Sequence, residues 1–133
     1  MTTFGIGRAA DLVGVSVDTL RRWADAGRVA TTRTPGGRRE IDGTALAELA
    51  RTMAVEPRSG DIVAASARNR FTGIVTRVVT DTVMAQVELQ AGPHRVVALL
   101  SREAVDELGL APGMLAVASV KATSVVVELP AQP

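Results

Sequence analysis

The sequence predicts an α+β chain in two domains: a helical N-terminal domain carrying a β-hairpin, then a small antiparallel β-barrel with one short helix. Three observations carry this. Apolar residues recur at helical spacing through residues 5–51. Beyond residue 60 they gather in short, β-branched-rich runs separated by turn residues. Between the two textures, Ala54-Val-Glu-Pro-Arg-Ser-Gly60 mixes Pro, Gly and polar residues as linkers do. The expected boundaries are 1–53 for the first domain, 54–64 for the linker and 65–130 for the second.

In the first domain Ile6, Ala9, Ala10 and Val13 fall at i, i+3, i+4, i+7 and define a short amphipathic helix that Gly14 breaks. Ser16 can cap the next helix by accepting a backbone N–H bond, and Asp18 suits the positive end of its dipole. Val17, Leu20, Trp23 and Ala24 give that helix its apolar face, which makes Trp23 a core residue, and Gly27 suits its stop. Pro35-Gly36-Gly37 is a strong turn signal between two short extended stretches. Asp42 caps a third helix expected to run to about Met53, with Leu46 and Leu49 inward.

In the second domain the expected strands are Phe71–Val79, Val83–Leu89, Arg95–Leu100, Met114–Val120 and Ser124–Leu129. Gln90-Ala-Gly-Pro-His94 reads as a hairpin connection. Arg102–Leu108 reads as a short helix stopped by Gly109, and Pro112-Gly113 turns the chain into the next strand. Five short strands and one small helix suit a partly closed barrel of the oligonucleotide/oligosaccharide-binding (OB) type.

Composition narrows the function. Apolar residues make up 47% of the 133, but the aromatics are only Phe4, Trp23 and Phe71, so both cores are aliphatic and lean, which favours further burial by self-association. No cysteine is present, excluding disulfides and thiolate metal sites. No apolar run reaches membrane-spanning length and no secretory pattern opens the chain, so the expected location is cytoplasmic, with no membrane partner. Net charge is only +1, yet Arg21, Arg22, Arg28, Arg33, Arg38 and Arg39 face a single acid, Asp25, within 21–39. A local basic patch on a near-neutral chain is the form expected of a DNA-contacting surface.

Ile6-Gly-Arg-Ala-Ala10, Leu12-Val-Gly-Val-Ser-Val-Asp-Thr-Leu-Arg-Arg-Trp23, Gly27-Arg-Val29 and Thr34-Pro-Gly-Gly-Arg-Arg39 together resemble the winged helix-turn-helix of MerR-type regulators and excisionases. The resemblance implies double-stranded DNA as partner, with Ser16, Thr19, Arg21, Arg22, Arg33, Arg38 and Arg39 as contact residues. Arg21 and Arg22 on a capped helix can present bidentate forks to guanine or phosphate, while Arg38 and Arg39 on the hairpin make a second, positioning contact. The chain departs from the pattern at Glu40-Ile41, where relatives often carry a base and an aromatic. It also lacks the long dimerisation helix, which leaves dimer formation to the second domain.

Ser66-Ala-Arg-Asn-Arg-Phe-Thr-Gly73, Leu100-Ser-Arg-Glu-Ala-Val-Asp-Glu-Leu-Gly-Leu-Ala-Pro-Gly113 and Val120-Lys-Ala-Thr-Ser-Val-Val-Val127 resemble molbindins (Mop, TOBE-like domains) in order. What the resemblance implies is molybdate or tungstate as ligand, no organic cofactor, and a homo-oligomer that in molbindins is a hexamer, a trimer of dimers, with ions held between subunits. Molybdate is a tetrahedral dianion that only accepts hydrogen bonds, so its site needs converging donors and little negative charge. Ser66 with the amides of Ala67, Arg68 and Asn69 offers such donors. Ser101 stands at a helix start, and Lys121 adds a point charge beside the amide of Ala122. Ala104 and Ala122 stand where some relatives carry a hydroxyl.

No nucleophile–base pair, paired carboxylates, phosphate-binding Gly loop or metal-spaced cluster is evident, so no catalytic residue and no metal ligand is expected, and His94 reads as a surface loop residue. Glu103, Asp106 and Glu107 are the solvated face of one helix. The expected function is an oxyanion-responsive DNA-binding transcriptional regulator, not an enzyme. Two rivals stand beside it: an intracellular molybdate storage or buffering protein, and an architectural DNA-binding protein whose second domain only oligomerises.

Overall fold

Helix α1 (Ile6–Val13) buries Ala9 and Ala10 and ends at Gly14, whose left-handed conformation (φ 74°) lets its amide bond back to the last-turn carbonyls. The computed structural model describes residues 2–53 and 66–131, and the chain divides into two units, Met1–Val55 and Glu56–Pro133. The expected linker, 54–64, lies outside the described residues. Helix α2 (Val17–Asp25) opens as expected: the Ser16 hydroxyl accepts the Thr19 N–H at 3.1 Å. Leu20 is fully buried. Trp23 packs against the core on one side, and the Arg28 guanidinium sits 4.4 Å from its ring centroid on the other.

The hairpin forms from β2 (Thr32–Arg33) and β3 (Arg39–Asp42), with Gly37 at φ 84° in its turn. A strand that was not expected, β1 (Thr3–Gly5), adds to the other side of β3 to make an antiparallel sheet of order β1-β3-β2. Three residues are too few for alternation to register; their pairing is decided by Ile41, buried behind β3. Asp42 then caps α3 (Gly43–Met53), its Oδ2 accepting from the amides of Thr44 and Ala45. Leu46 and Leu49 close a core with Ala9, Ala10, Leu20, Val29 and Ile41.

The second unit is a curled antiparallel sheet of order β6-β5-β4-β7. Its strands are β4 (Asn69–Thr80), β5 (Met84–Ala91), β6 (His94–Ser101) and β7 (Leu115–Val120), with α4 (Arg102–Leu108) before the last. In β5 the strict alternation buries Ala85, Val87, Leu89 and Ala91, and the first three form one core with Val75 of β4 and Val105 of α4. Ala91 pairs with His94 across Gly92-Pro93. Gly92 has φ 57°, and proline cannot follow it into positive φ, which is the arrangement of a type II′ hairpin turn. Gly109 ends α4 in the left-handed region.

β4 changes partners midway. Residues Asn69–Ile74 pair with β7, and Ile74–Thr80 pair with β5, with a bulge between Val75 and Arg77. At the changeover, a Cβ on Gly73 would overlap the Gln90 carbonyl oxygen and lie 2.8 Å from its carbon. Glycine at 73 is therefore a condition of the curl. The expected fifth strand, Ser124–Leu129, is a correction. After β7 the chain makes a single 3₁₀ turn (Ala122–Ser124), and the residues beyond it form no strand. Val126, Val127 and Leu129 are 80%, 85% and 93% exposed. β-branched composition favours extended backbone, but a strand also needs a partner, and no strand among the described residues pairs with that segment.

Two predictions follow from these contacts. Gly73→Ala is expected to lower the unfolding free energy of the second unit by about 3 kcal/mol or more, since backbone rather than a yielding side chain blocks the methyl; chemical denaturation followed by circular dichroism checks it. The second concerns acid. Asp81 in the β4–β5 turn accepts the Met84 and Val83 amides at 2.7 and 2.8 Å, bonds that hold its carboxyl below the usual range. Glu88 is held down likewise, first by its hydrogen bond from Arg95. A carboxyl depressed in the folded state stabilises above its unfolded pKa and loses that contribution as pH falls through the folded value. Melting temperature is thus expected to fall with pH below about 4, and less steeply in Asp81→Asn.

Candidate functional site

The first unit forms a cleft of about 800 Å³ between the end of α2, the hairpin and the start of α1. Arg21, Arg33, Arg38 and Arg39 line it, opposed by Asp25 and Glu40. Four of the arginines expected at the DNA surface are thus brought to one place; Arg22 is not among the lining residues. Arg22 lies on the exposed side of α2 and donates to Thr19 Oγ1 at 3.3 Å. Thr19 Oγ1 also accepts from the Ser16 hydroxyl at 2.9 Å, so Ser16, Thr19 and Arg22 form one chain of bonds along the helix start. Arg21 is exposed, with Asp18 at 3.9 Å.

The hairpin is braced from within. Thr34 N donates to Arg38 O and Gly37 N to Thr34 O, both at 2.8 Å, and Arg33 donates from its guanidinium to Gly37 O at 2.9 Å. Arg39 reaches back to α2, its guanidinium donating to Asp25 Oδ1 at 2.5 Å. Asp25, Glu40 and the Gly5-Ile6-Gly7 segment escaped the sequence reading as members of this site. Only Asp25 had a signal, as the sole acid in an arginine-rich stretch.

In the second unit the β4–β7 ladder brings two expected segments together. Asn69 is the cross-strand partner of Val120, and its side-chain amide donates to the Val120 carbonyl at 3.2 Å. Ser66, Ala67 and Arg68 lead into that strand end, and Lys121 and Ala122 leave it. Six of the seven expected oxyanion residues therefore lie at one end of one ladder. Ser101 does not join them. It pairs with Met84, beside the Ala85–Thr80 pair, so within one chain it stands at the other end of β4, roughly 35 Å away along the strand.

The Ser101 hydroxyl is also engaged, accepting the Ala104 N–H at 3.1 Å as the cap of α4. The shallow pocket beside it contains the carboxylates of Glu103, Asp106 and Glu107 as well as Arg102, an environment that does not favour an anion. Among the described residues no group of His, Asp and Glu gathers at metal-binding distance, and no helix is long and apolar enough to cross a membrane.

Residues 65–127 match the TOBE domain family, and residues 5–41 match the MerR family regulatory protein. Among solved structures, the chain is similar to a molybdate-binding protein from Sporomusa ovata, at 33% identity over 50% of this chain and 100% of that one, with a TM-score of 0.49. MopII from Clostridium pasteurianum is 34% identical over 50% of this chain and all of its own, with a TM-score of 0.47. The cytoplasmic molybdate-binding protein ModG, in a crystal form with molybdate bound, is 37% identical over 54% of this chain, with a TM-score of 0.51; the chain spans 52% of its length. No curated protein is significantly similar in sequence.

Ser101→Ala is expected to cost about 1 kcal/mol of second-unit stability through loss of the α4 cap, readable by urea denaturation.

Proposed function

We propose that this chain, which belongs to the MerR family through its first domain and to the TOBE family through its second, is a molybdate-responsive DNA-binding regulator. The observation that carries the reading is the pairing, in one polypeptide, of a four-arginine cleft beside a capped helix with a domain similar to molybdate-binding proteins. Each domain suits one kind of anion. Guanidiniums on a helix and a hairpin fit the spaced phosphates of a duplex. The Ser66–Asn69 and Lys121–Ala122 ladder end, with its hydroxyl, amides and ammonium, fits a small tetrahedral acceptor.

The ion site in this reading is completed by a second subunit. Ser101 lies far from the other six residues in one chain, so if it takes part it does so from a neighbour. The uncovered Val126, Val127 and Leu129, and Leu99 and Leu115 at 70% and 78% exposure, supply apolar surface for such an assembly. A hexamer built as a trimer of dimers and a cytoplasmic location belong to the same proposal, as do tungstate as an alternative ligand and a binding role without catalysis. Anion binding shifts DNA binding only to the extent that the ion prefers one state of the oligomer.

The test is a calorimetric titration of anion-stripped protein with molybdate, against tungstate, sulfate and phosphate, followed by fluorescence anisotropy on a duplex from the chain's own upstream region with and without the ion. Molybdate is expected to bind at micromolar concentration or tighter, with sulfate and phosphate weaker. Lys121→Ala is expected to weaken it by about tenfold or more, the value of one charge-assisted hydrogen bond. DNA binding whose affinity changes with molybdate supports the regulator. Molybdate binding with no salt-dependent DNA binding would leave a storage protein, and no oxyanion binding at all would reduce the second domain to an assembly module.

A further inference from the structure

We infer that Asp25 and Arg39 form a latch that fixes the hairpin against helix α2, so that Arg39 serves DNA binding as a positioning residue and not as a phosphate contact. The inference rests on the DNA-binding reading of the cleft and assigns a role within it. Three observations support it, beginning with geometry. The Arg39 guanidinium lies 2.5 Å from Asp25 Oδ1 and its side chain is only 24% exposed, against 57% for Arg21. An arginine committed to a carboxylate and mostly covered by its surroundings has little left to offer a phosphate.

The second observation is where Asp25 sits. It is the last residue of α2, at the negative end of the helix dipole, where a carboxylate is locally unfavourable. Nothing within the helix explains an acid there. The tertiary partner does. The third is the register of the hairpin: Arg33 and Arg39 are direct cross-strand partners, and like charges so placed repel. They are drawn apart by different anchors, Arg33 to the Gly37 carbonyl at the hairpin tip and Arg39 to Asp25 on the helix. Arg38 is exposed and is bonded through its backbone, its N–H donating to Thr34 Oγ1 and its carbonyl accepting the Thr34 N–H. The hairpin thus ties Arg39 to the helix and Arg33 to its own tip, and presents the Arg38 side chain.

Two measurements on the full-length protein and its Asp25→Asn, Arg39→Ala and Arg38→Ala variants test this. In the free protein, amide hydrogen exchange of residues 34–38 is expected to speed up in Asp25→Asn and Arg39→Ala, and to stay unchanged in Arg38→Ala. Unchanged exchange in the first two would overturn the latch whether or not the protein binds DNA. On the upstream duplex, Asp25→Asn and Arg39→Ala are each expected to weaken binding by about fivefold, with the double variant no worse than either, the mark of two residues acting as one unit. The slope of log K against log salt is expected to stay at the wild-type value in both, and to fall by about 0.9 in Arg38→Ala. The opposite pattern would sink the proposal: tighter binding on removing the Asp25 charge, together with a slope lowered by about 0.9 in Arg39→Ala. Should the wild-type protein bind no duplex, the regulator reading fails, and the exchange data alone decide the latch.

Discussion

The second unit is organised around one long strand, β4, that passes from one partner to another, and around the close backbone approach at the changeover. β4 pairs with β7 through its first half and with β5 through its second. At the changeover its backbone lies against the Gln90 carbonyl, where only glycine at 73 fits. The bulge at Thr76 follows immediately, its hydroxyl donating to the Glu88 carbonyl at 3.2 Å. The connection after α4 is tied to the same place: Gly113 N donates to Val75 O, and Val75 N to Met114 O. On either side of this changeover lie the two separated ends of β4. One carries the Asn69–Val120 pair with Lys121 beside it, and the other carries the Asp81 turn and, across β5, Ser101.

Much of the architecture was legible because it is local. Helix caps at Ser16 and Asp42, left-handed glycines at 14, 92 and 109, and the alternation of β5 each depend on neighbours within a few residues. What was not legible is set by partners distant in sequence. β1 exists because β3, distant in sequence, has a free edge on which Phe4 pairs with Ile41. Residues 124–129 have the composition of a strand but no partner strand among the described residues, and composition cannot report that. The sites divide in the same way. Local charge and the MerR resemblance led to the arginines, and the molbindin resemblance to the Ser66–Asn69 and Lys121 segments. They could not show that Arg39 is tied to Asp25, nor that Ser101 lies an entire strand length from Lys121.

The exposed apolar residues bear on how the two proposed activities can be joined. Leu99, Leu115, Val126, Val127 and Leu129 are each at least 70% exposed, while the second core contains five buried residues, one of them alanine. Covering one such side chain is worth about 1.5–3 kcal/mol, so association can contribute as much to this domain as its own interior. An ion bound between subunits would then act on the assembly equilibrium by mass action, stabilising the associated form in proportion to the logarithm of its concentration. A DNA-binding domain carried by each subunit gains strongly when two are presented together, because the second contact becomes intramolecular. In that arrangement no signal has to travel through a single chain. The ion sets how many arginine clefts are held at once, and the duplex responds to their number and spacing.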